Sequence, residues 1–213
     1  MASPDEPTHD HRFFAACYDC LSRTRGFRAM MDPSRQQLAR LARGVVLEVG
    51  AGGGQNFGFY DPAITERVEA VEPNAHMLRR ATIAAQSARV PIHLTPAPAE
   101  HLPFADATFD AALVTFVFCS VDDPLQGLRE MQRVLKPGGV LLLFEHVRSR
   151  TRGWARLQDA LTPLQQRVAG NCHLNRPTGD IVRSLGFAIA TEEWSGGAIH
   201  PTVLLIASKP HGA

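Results

Sequence analysis

The stretch Glu48-Val49-Gly50-Ala51-Gly52-Gly53-Gly54 lies where a short apolar run, residues 45–49, gives way to a tight loop. Glycine lets a ligand lie against the backbone with no Cβ in the way, and Gly50 and Gly52 stand just past a strand, where α/β sheets place ligands. A second acid, Glu72, closes the next apolar run, residues 68–71, and a carboxylate there can accept both hydroxyls of a ribose. Together the two features read as a grip on an adenosine-like group. A dinucleotide fingerprint asks for glycine three positions after Gly52, and that position is Gln55, which weakens a nicotinamide reading.

On either side of this loop, helix and strand signals alternate. Asp32-Pro33 predicts a helix start ahead of Leu38, Leu41 and Ala42, and Asn74 predicts the cap of a helix striped by Met77, Ala81, Ala84 and Ala88. Residues 92–95 and 109–118 read as a third and a fourth strand. Asp123-Pro124 then begins a helix with Leu125, Leu128, Met131 and Leu135 inward, stopped by Pro137-Gly138-Gly139. Residues 140–146 form a fifth strand, continuously apolar, as expected of a parallel sheet covered on both faces. Beyond Arg150, the spacing of Trp154, Leu157, Leu161, Leu164 and Val168 predicts a helical cover interrupted by Pro163. A helix over 177–185 closes at Gly186, and strands near 187–194 and 202–207 flank Ser195-Gly196-Gly197 as a terminal hairpin. The sum is an α/β fold: a doubly wound, seven-stranded, mostly parallel sheet with one antiparallel strand. Its ligands belong above Val49, Val71, Thr115 and Glu145.

Composition narrows the classes of function. With 213 residues, 45% apolar and 20% charged, the chain fits one globular domain with a sizeable core. A net charge of +1 gives no broad footprint for nucleic acid or anionic lipid, so the expected partner is a small molecule and nucleic acid is not expected. The polar N-terminus lacks a signal-peptide pattern, and no apolar run reaches a membrane span, which predicts a cytoplasmic protein without stable membrane insertion. Four cysteines are too few for a disulfide scaffold, and Cys17 and Cys20 have no second pair to complete a zinc site. No metal is expected.

The motifs also carry a resemblance. Glu48 and the glycines that follow resemble the first motif of class I S-adenosylmethionine-dependent methyltransferases. Glu72-Pro73-Asn74 with Met77 resembles the ribose acid and adenine wall of that superfamily, and Ala99-Glu100-His101-Leu102-Pro103-Phe104 its adenine-edge segment. Phe109-Asp110 into Thr115-Phe116, and Arg133-Val134-Leu135-Lys136-Pro137-Gly138-Gly139, are similar to its later motifs. Within the superfamily the strings Asn56-Phe57-Gly58-Phe59-Tyr60, Cys119-Ser120-Val121, Phe144-Glu145-His146-Val147 and residues 170–176 resemble a group that includes the animal microsomal thiol S-methyltransferases. The animal members begin with a hydrophobic anchor. Residues 1–44 instead resemble the amphipathic leading segment of soluble relatives, with Tyr18-Asp19 where a lid tyrosine often stands.

The resemblance implies a Rossmann-like methyltransferase fold in one domain over residues 1–213. Residues 1–12 would be a flexible lead-in, 13–44 a helical lid, 45–148 the cofactor core, and 149–213 the acceptor-side cover and hairpin. It implies S-adenosylmethionine as cofactor, held by Tyr18, Glu48, Gly50, Ala51, Gly52, Asn56, Glu72, Pro73, Asn74, Met77, Ala99, Glu100, Thr115 and Phe116. The acceptor is expected to be small and lipophilic, with a thiol favoured. A quinone-like or phenolic acceptor, methylated on carbon or oxygen, is the alternative, and a non-catalytic cofactor-binding module is a third reading. A thiol must lose its proton, and a histidine titrates in the right range to take it. His146, beside Glu145 at a strand end, and His173, in the loop after the helical cover, are the catalytic candidates. Cys119 and Cys172 read as buried apolar thiols.

Overall fold

Strand β1 (Gly44–Val49) lies at the middle of the sheet, and its burial explains its unbroken apolar sequence. Val46 points to one face, where it meets Leu38, Val68, Leu113 and Leu142. Leu47 and Val49 point to the other, among Ala112, Val114, Leu128, Met131 and Leu143. A strand with a hydrophobic core on each side has no solvent face to show as alternation. The computed structural model describes residues 20–22 and 24–211, so Tyr18 and Cys17 lie outside the described residues.

In chain order the elements are α1 (Arg25–Ala39), β1, a 3₁₀ turn (Phe57–Phe59), β2 (Thr65–Val71), α2 (Ala75–Ala85), β3 (Ile92–Thr95), β4 (Phe109–Thr115) and α3 (Pro124–Val134). They continue with β5 (Leu135–His146), α4 (Arg152–Val168), α5 (Thr178–Ser184), β6 (Ala188–Gly196) and β7 (Pro201–Ser208). The sheet order is β3-β2-β1-β4-β5-β7-β6. Strands β1 to β5 pair in parallel, and β7 runs antiparallel to both of its neighbours. That is the expected seven-stranded sheet with one reversed strand. Helices α1 and α2 cover one face through Leu38, Ala39 and Ala81, and α3 and α5 the other through Leu128, Met131 and Val182. Among the described residues no helix is long and apolar enough to cross a membrane.

Two helix starts behave as the side chains dictate. Asn74 accepts from the backbone N–H of His76 and Met77 at 3.0 and 3.1 Å, and Asp123 accepts from Gln126 N–H at 2.9 Å ahead of Pro124.

Several elements depart from the sequence reading, β2 beginning at Thr65 and α2 ending at Ala85 among them. Helix α1 begins two turns before Asp32-Pro33, under a Thr24 cap, and carries Pro33 in its interior. Strand β4 stops at Thr115 rather than at residue 118, because Phe116 turns the chain with φ of 57°. Strand β5 starts at Leu135, directly after α3, and takes in Pro137-Gly138-Gly139. Helix α4 runs through Pro163 without a break.

The orientation of α4 is the larger surprise. Ala155, Gln158 and Thr162 are its buried residues, while Trp154, Leu157, Leu161, Leu164 and Val168 are 36–65% exposed. Gln158 sets this face inward. Its Nε2 donates to the carbonyls of Val147, Leu174 and Ile199 at 3.2, 2.8 and 3.1 Å, and its Oε1 accepts from Ser149 N–H at 2.7 Å. Four backbone groups, two of them in fully buried contacts, therefore converge on one amide.

Candidate functional site

The loop after β1 is built for close approach. Gly50 and Gly52 adopt φ of 65° and 55°, a region that side chains with a Cβ rarely enter. A Cβ on Gly50 would stand 2.3 Å from Cγ2 of Val117 in the segment after β4, so two strand ends already touch there. The Met77 methyl lies 3.6 Å from where a Gly52 Cβ would be, which brings the start of α2 over the same turn.

Glu72 joins these parts. Its Oε2 accepts from Gly52 N–H at 2.9 Å and its Oε1 from Asn74 N–H at 2.8 Å. Burial raises its pKa, and the Asn74 and Gly52 N–H groups pull it back. Each carboxylate oxygen keeps a second lone pair, so the anchored acid can still accept a vicinal diol.

Beneath the loop, Glu48 is 1% exposed and engaged by Tyr60 Oη at 2.5 Å and Asn56 Nδ2 at 3.0 Å. Asn56 Nδ2 also reaches Thr115 Oγ1 at 3.2 Å, tying the loop to the end of β4, while its buried Oδ1 has no partner. Glu48 thus braces the loop from below.

Burial pushes the Glu48 pKa from 4.5 to about 7, against the Tyr60 and Asn56 hydrogen bonds and the Arg35 charge. A folded state holding a proton that the unfolded chain releases loses stability as pH rises from 4.5 towards 7. The shift corresponds to something on the order of 3 kcal/mol. Glu48→Gln is expected to remove that slope, and chemical denaturation of both proteins across this pH range checks it; parallel slopes would contradict the assignment.

Other expected site residues are also placed. Ala51 and Ala99 are buried, Pro73 is exposed, and Glu100 Oε1 accepts from the N–H groups of Asp122 and Asp123 at 3.0 and 3.2 Å. Glu100 therefore closes the β4–α3 loop through its own carboxylate. A cleft of about 190 Å³ lies between α1 and the glycine loop, lined by Ser22, Arg28, Asp32, Arg35, Gly53 and Gln55 among others. A larger depression, about 390 Å³, follows α1 outward and touches no part of the glycine loop.

At the ends of β4 and β5 the two histidines part company. His146 packs against Phe116 with ring centroids 4.6 Å apart, and Phe116 packs edge-on against Phe144 at 4.7 Å. His173 is engaged on both ring nitrogens, Nε2 by Gln166 and Nδ1 by Asn171 O at 2.8 Å, and its own N–H donates to Cys119 O at 2.7 Å. Burial and the Arg176 charge lower its pKa. The structure therefore uses His173 to fasten residues 170–176 onto the segment after β4, while His146, half-buried, packs on Phe116 beside Cys119 and Cys172.

Sequence reasoning did not join Cys119, His146 and Cys172. Their ligand-capable atoms all lie within 4.8 Å of one another. Three residues drawn from three separate segments leave no spacing pattern to read. Nearby, Glu145 accepts from the N–H groups of Val117, Phe118 and Cys119 at 2.6, 2.9 and 3.3 Å, which fixes the turn carrying Cys119.

The arrangement suits an adenosyl cofactor: left-handed glycines, an anchored acid with free lone pairs, and an unpartnered Asn56 oxygen beside them. Comparison with known proteins agrees. The family described as "Methyltransferase domain" matches residues 47–143. Thiol S-methyltransferase TMT1B of Rattus norvegicus is 36% identical over 156 residues, covering 70% of this chain and 62% of that protein. The chain thus spans less than two thirds of that relative. A ubiquinone/menaquinone biosynthesis C-methyltransferase, UbiE of Geotalea daltonii, is 44% identical over 68 residues, which is 32% of this chain and 29% of that one. Among solved structures, a SAM-dependent methyltransferase of Thermotoga maritima, described as a possible histamine N-methyltransferase, superposes with a TM-score of 0.64 at 23% identity. That match covers 93% of this chain and 99% of the other, and it shows the fold alone.

Proposed function

We propose, from the premise that this chain belongs to the class I S-adenosylmethionine-dependent methyltransferase family, that it methylates a small lipophilic thiol. The observation that carries the cofactor half is Glu72, held by two backbone N–H groups at the end of β2 beside Gly52. When bound, the cofactor supplies an electrophilic methyl carbon. The chain supplies the rest. Gly50, Ala51 and Gly52 offer bare backbone, Glu72 accepts the ribose hydroxyls, and Pro73, Asn74, Met77, Ala99 and Glu100 border the base. Glu48 and Asn56 hold the loop and Thr115 together.

Phe116 presents an aromatic face where a positive charge is favoured, an attraction of about 1 kcal/mol. Packing from Phe144 and the bend at Phe116 fix that face, so orientation and exclusion of water carry most of the work. Removal of the acceptor's proton is assigned to His146, the histidine that packs on Phe116; both ring nitrogens of His173 are engaged by its neighbours.

The thiol reading draws on the similarity to the rat enzyme, and the UbiE similarity supports the second reading, methylation of a quinone-like carbon. Labelled cofactor with one alkyl thiol and one quinol separates them: transfer to the thiol alone supports the first, and to the quinol alone the second. Cofactor uptake without transfer across a wide panel would indicate a binding module.

Glu72→Ala is expected to weaken cofactor binding by about 1.5–3 kcal/mol through lost charge-assisted hydrogen bonds, with the fold retained. Calorimetric titration measures it, and unchanged affinity would refute the ribose role.

A further inference from the structure

We propose that Cys119, His146 and Cys172 form a binding site for a thiophilic divalent cation such as Zn²⁺, with a fourth position open to the acceptor's sulfur. Cys119 and Cys172 are 2% and 7% exposed, and His146 ends β5 against them. Their ligand atoms lie within 4.8 Å of one another, and ligands on a tetrahedral zinc ion stand about 3.5–3.8 Å apart. Closing around an ion therefore asks for shifts of about 1 Å or less. Among the described residues this is the one group of three His, Cys, Asp or Glu side chains gathered so closely.

The surroundings suit a charged cluster. The Cys119 turn is pinned to Glu145 through three backbone N–H groups, and His173 N–H holds Cys119 O at 2.7 Å, so the ligand-bearing segments are already fixed. Hydrogen bonds of this kind, made behind the ligands, are what orients them around a metal. Arg176, buried at 8% exposure, keeps an Nη1 with no hydrogen-bond partner while its other terminal nitrogen lies 3.0 Å from His173 Nδ1. A guanidinium held there offsets the negative charge of two thiolates. Three protein ligands with an exchangeable fourth position are the pattern of reactive rather than purely structural zinc.

The chemistry balances simply. Ion binding releases the protons of Cys119 and Cys172 to solvent. An incoming thiol then breaks its S–H bond, gives the proton to water and forms a sulfur–metal bond, keeping its electron pair on sulfur. In that form His146 serves the deprotonation as a ligand. This last role rests on the thiol reading above, whereas the ion site rests on the side-chain geometry alone.

The test uses the full chain carrying C17S and C20S, reduced, freed of metal by a chelator and titrated with Co²⁺. The expected result is a thiolate-to-cobalt charge-transfer band with intense visible bands of tetrahedral coordination, saturating at one ion per chain. C119S and C172S should each weaken binding at least tenfold, and the double variant should lose the bands. Absence of the bands in the parent overturns the site without recourse to any variant, as does their persistence in the double variant or a mass showing Cys119 and Cys172 joined as a disulfide. Adding an alkyl thiol to the cobalt form should shift the charge-transfer band, and a phenol should leave it unmoved. A site that binds cobalt yet ignores thiol removes the acceptor role and keeps the ion site. Thiol methylation by a chain that binds no cobalt removes the ion site and keeps the enzymology.

Discussion

Gln158→Ala is expected to destabilise the protein by about 3–5 kcal/mol, a large part of the 5–15 kcal/mol typical of a domain. The wild-type amide is fully buried and serves the carbonyls of Val147, Leu174 and Ile199 and the N–H of Ser149. Alanine leaves all four unserved, those of Val147 and Leu174 in buried contacts and those of Ser149 and Ile199 in partly buried ones, and each buried orphan costs about 1–3 kcal/mol. Because the four groups belong to three loops, the loss should spread. Hydrogen exchange should show faster exchange around residues 147–149, 174 and 199 together, with protection in β1 and β4 kept. A denaturation midpoint within error of wild type would show that the amide's contacts contribute little.

Gly50→Ala is the second large effect, expected to be about 2–5 kcal/mol in stability together with loss of measurable cofactor uptake. Two costs add. Alanine at φ of 65° is strained by about 1–2 kcal/mol, and its Cβ would press on Val117 Cγ2 from 2.3 Å, an overpacking penalty of about 1–3 kcal/mol. The costs are separable, because Val117→Ala removes the steric part and leaves the backbone part. In a double-mutant cycle measured by urea unfolding, Gly50→Ala should therefore cost less in the Val117→Ala background. Identical costs in both backgrounds would mean that the strand ends do not press on each other.

Much of this architecture was legible because its signals are local. The glycine run after β1, the caps at Asn74 and Asp123, and the unbroken apolar strands each follow from residues close together in sequence. The misreadings have a common cause in contacts made at a distance. Periodicity shows that α4 has an apolar stripe, but the inward side was settled by what Gln158 could bond to in three remote loops. Phe116 gives no residue-type hint of its left-handed turn, so β4 reads three residues too long. In the candidate site, the position of Glu72 at a strand end could be read from the sequence. The bracing of Glu48 by Tyr60, twelve residues on, could not, nor could the meeting of Cys119, His146 and Cys172.

The sheet order carries an evolutionary corollary. Strands β1, β2 and β3 hold the glycine loop and Glu72 on one half, and β5, β7 and β6 lie on the other half with α4 and residues 170–176. On the function proposed above, the two reactants are served by different stretches of gene, which meet at the β1–β4 seam. On that proposal, selection can retool the stretch from β5 onward for a new acceptor while the one before it stays untouched, and a chimera joined after β4 would inherit its donor from one parent and its taste from the other.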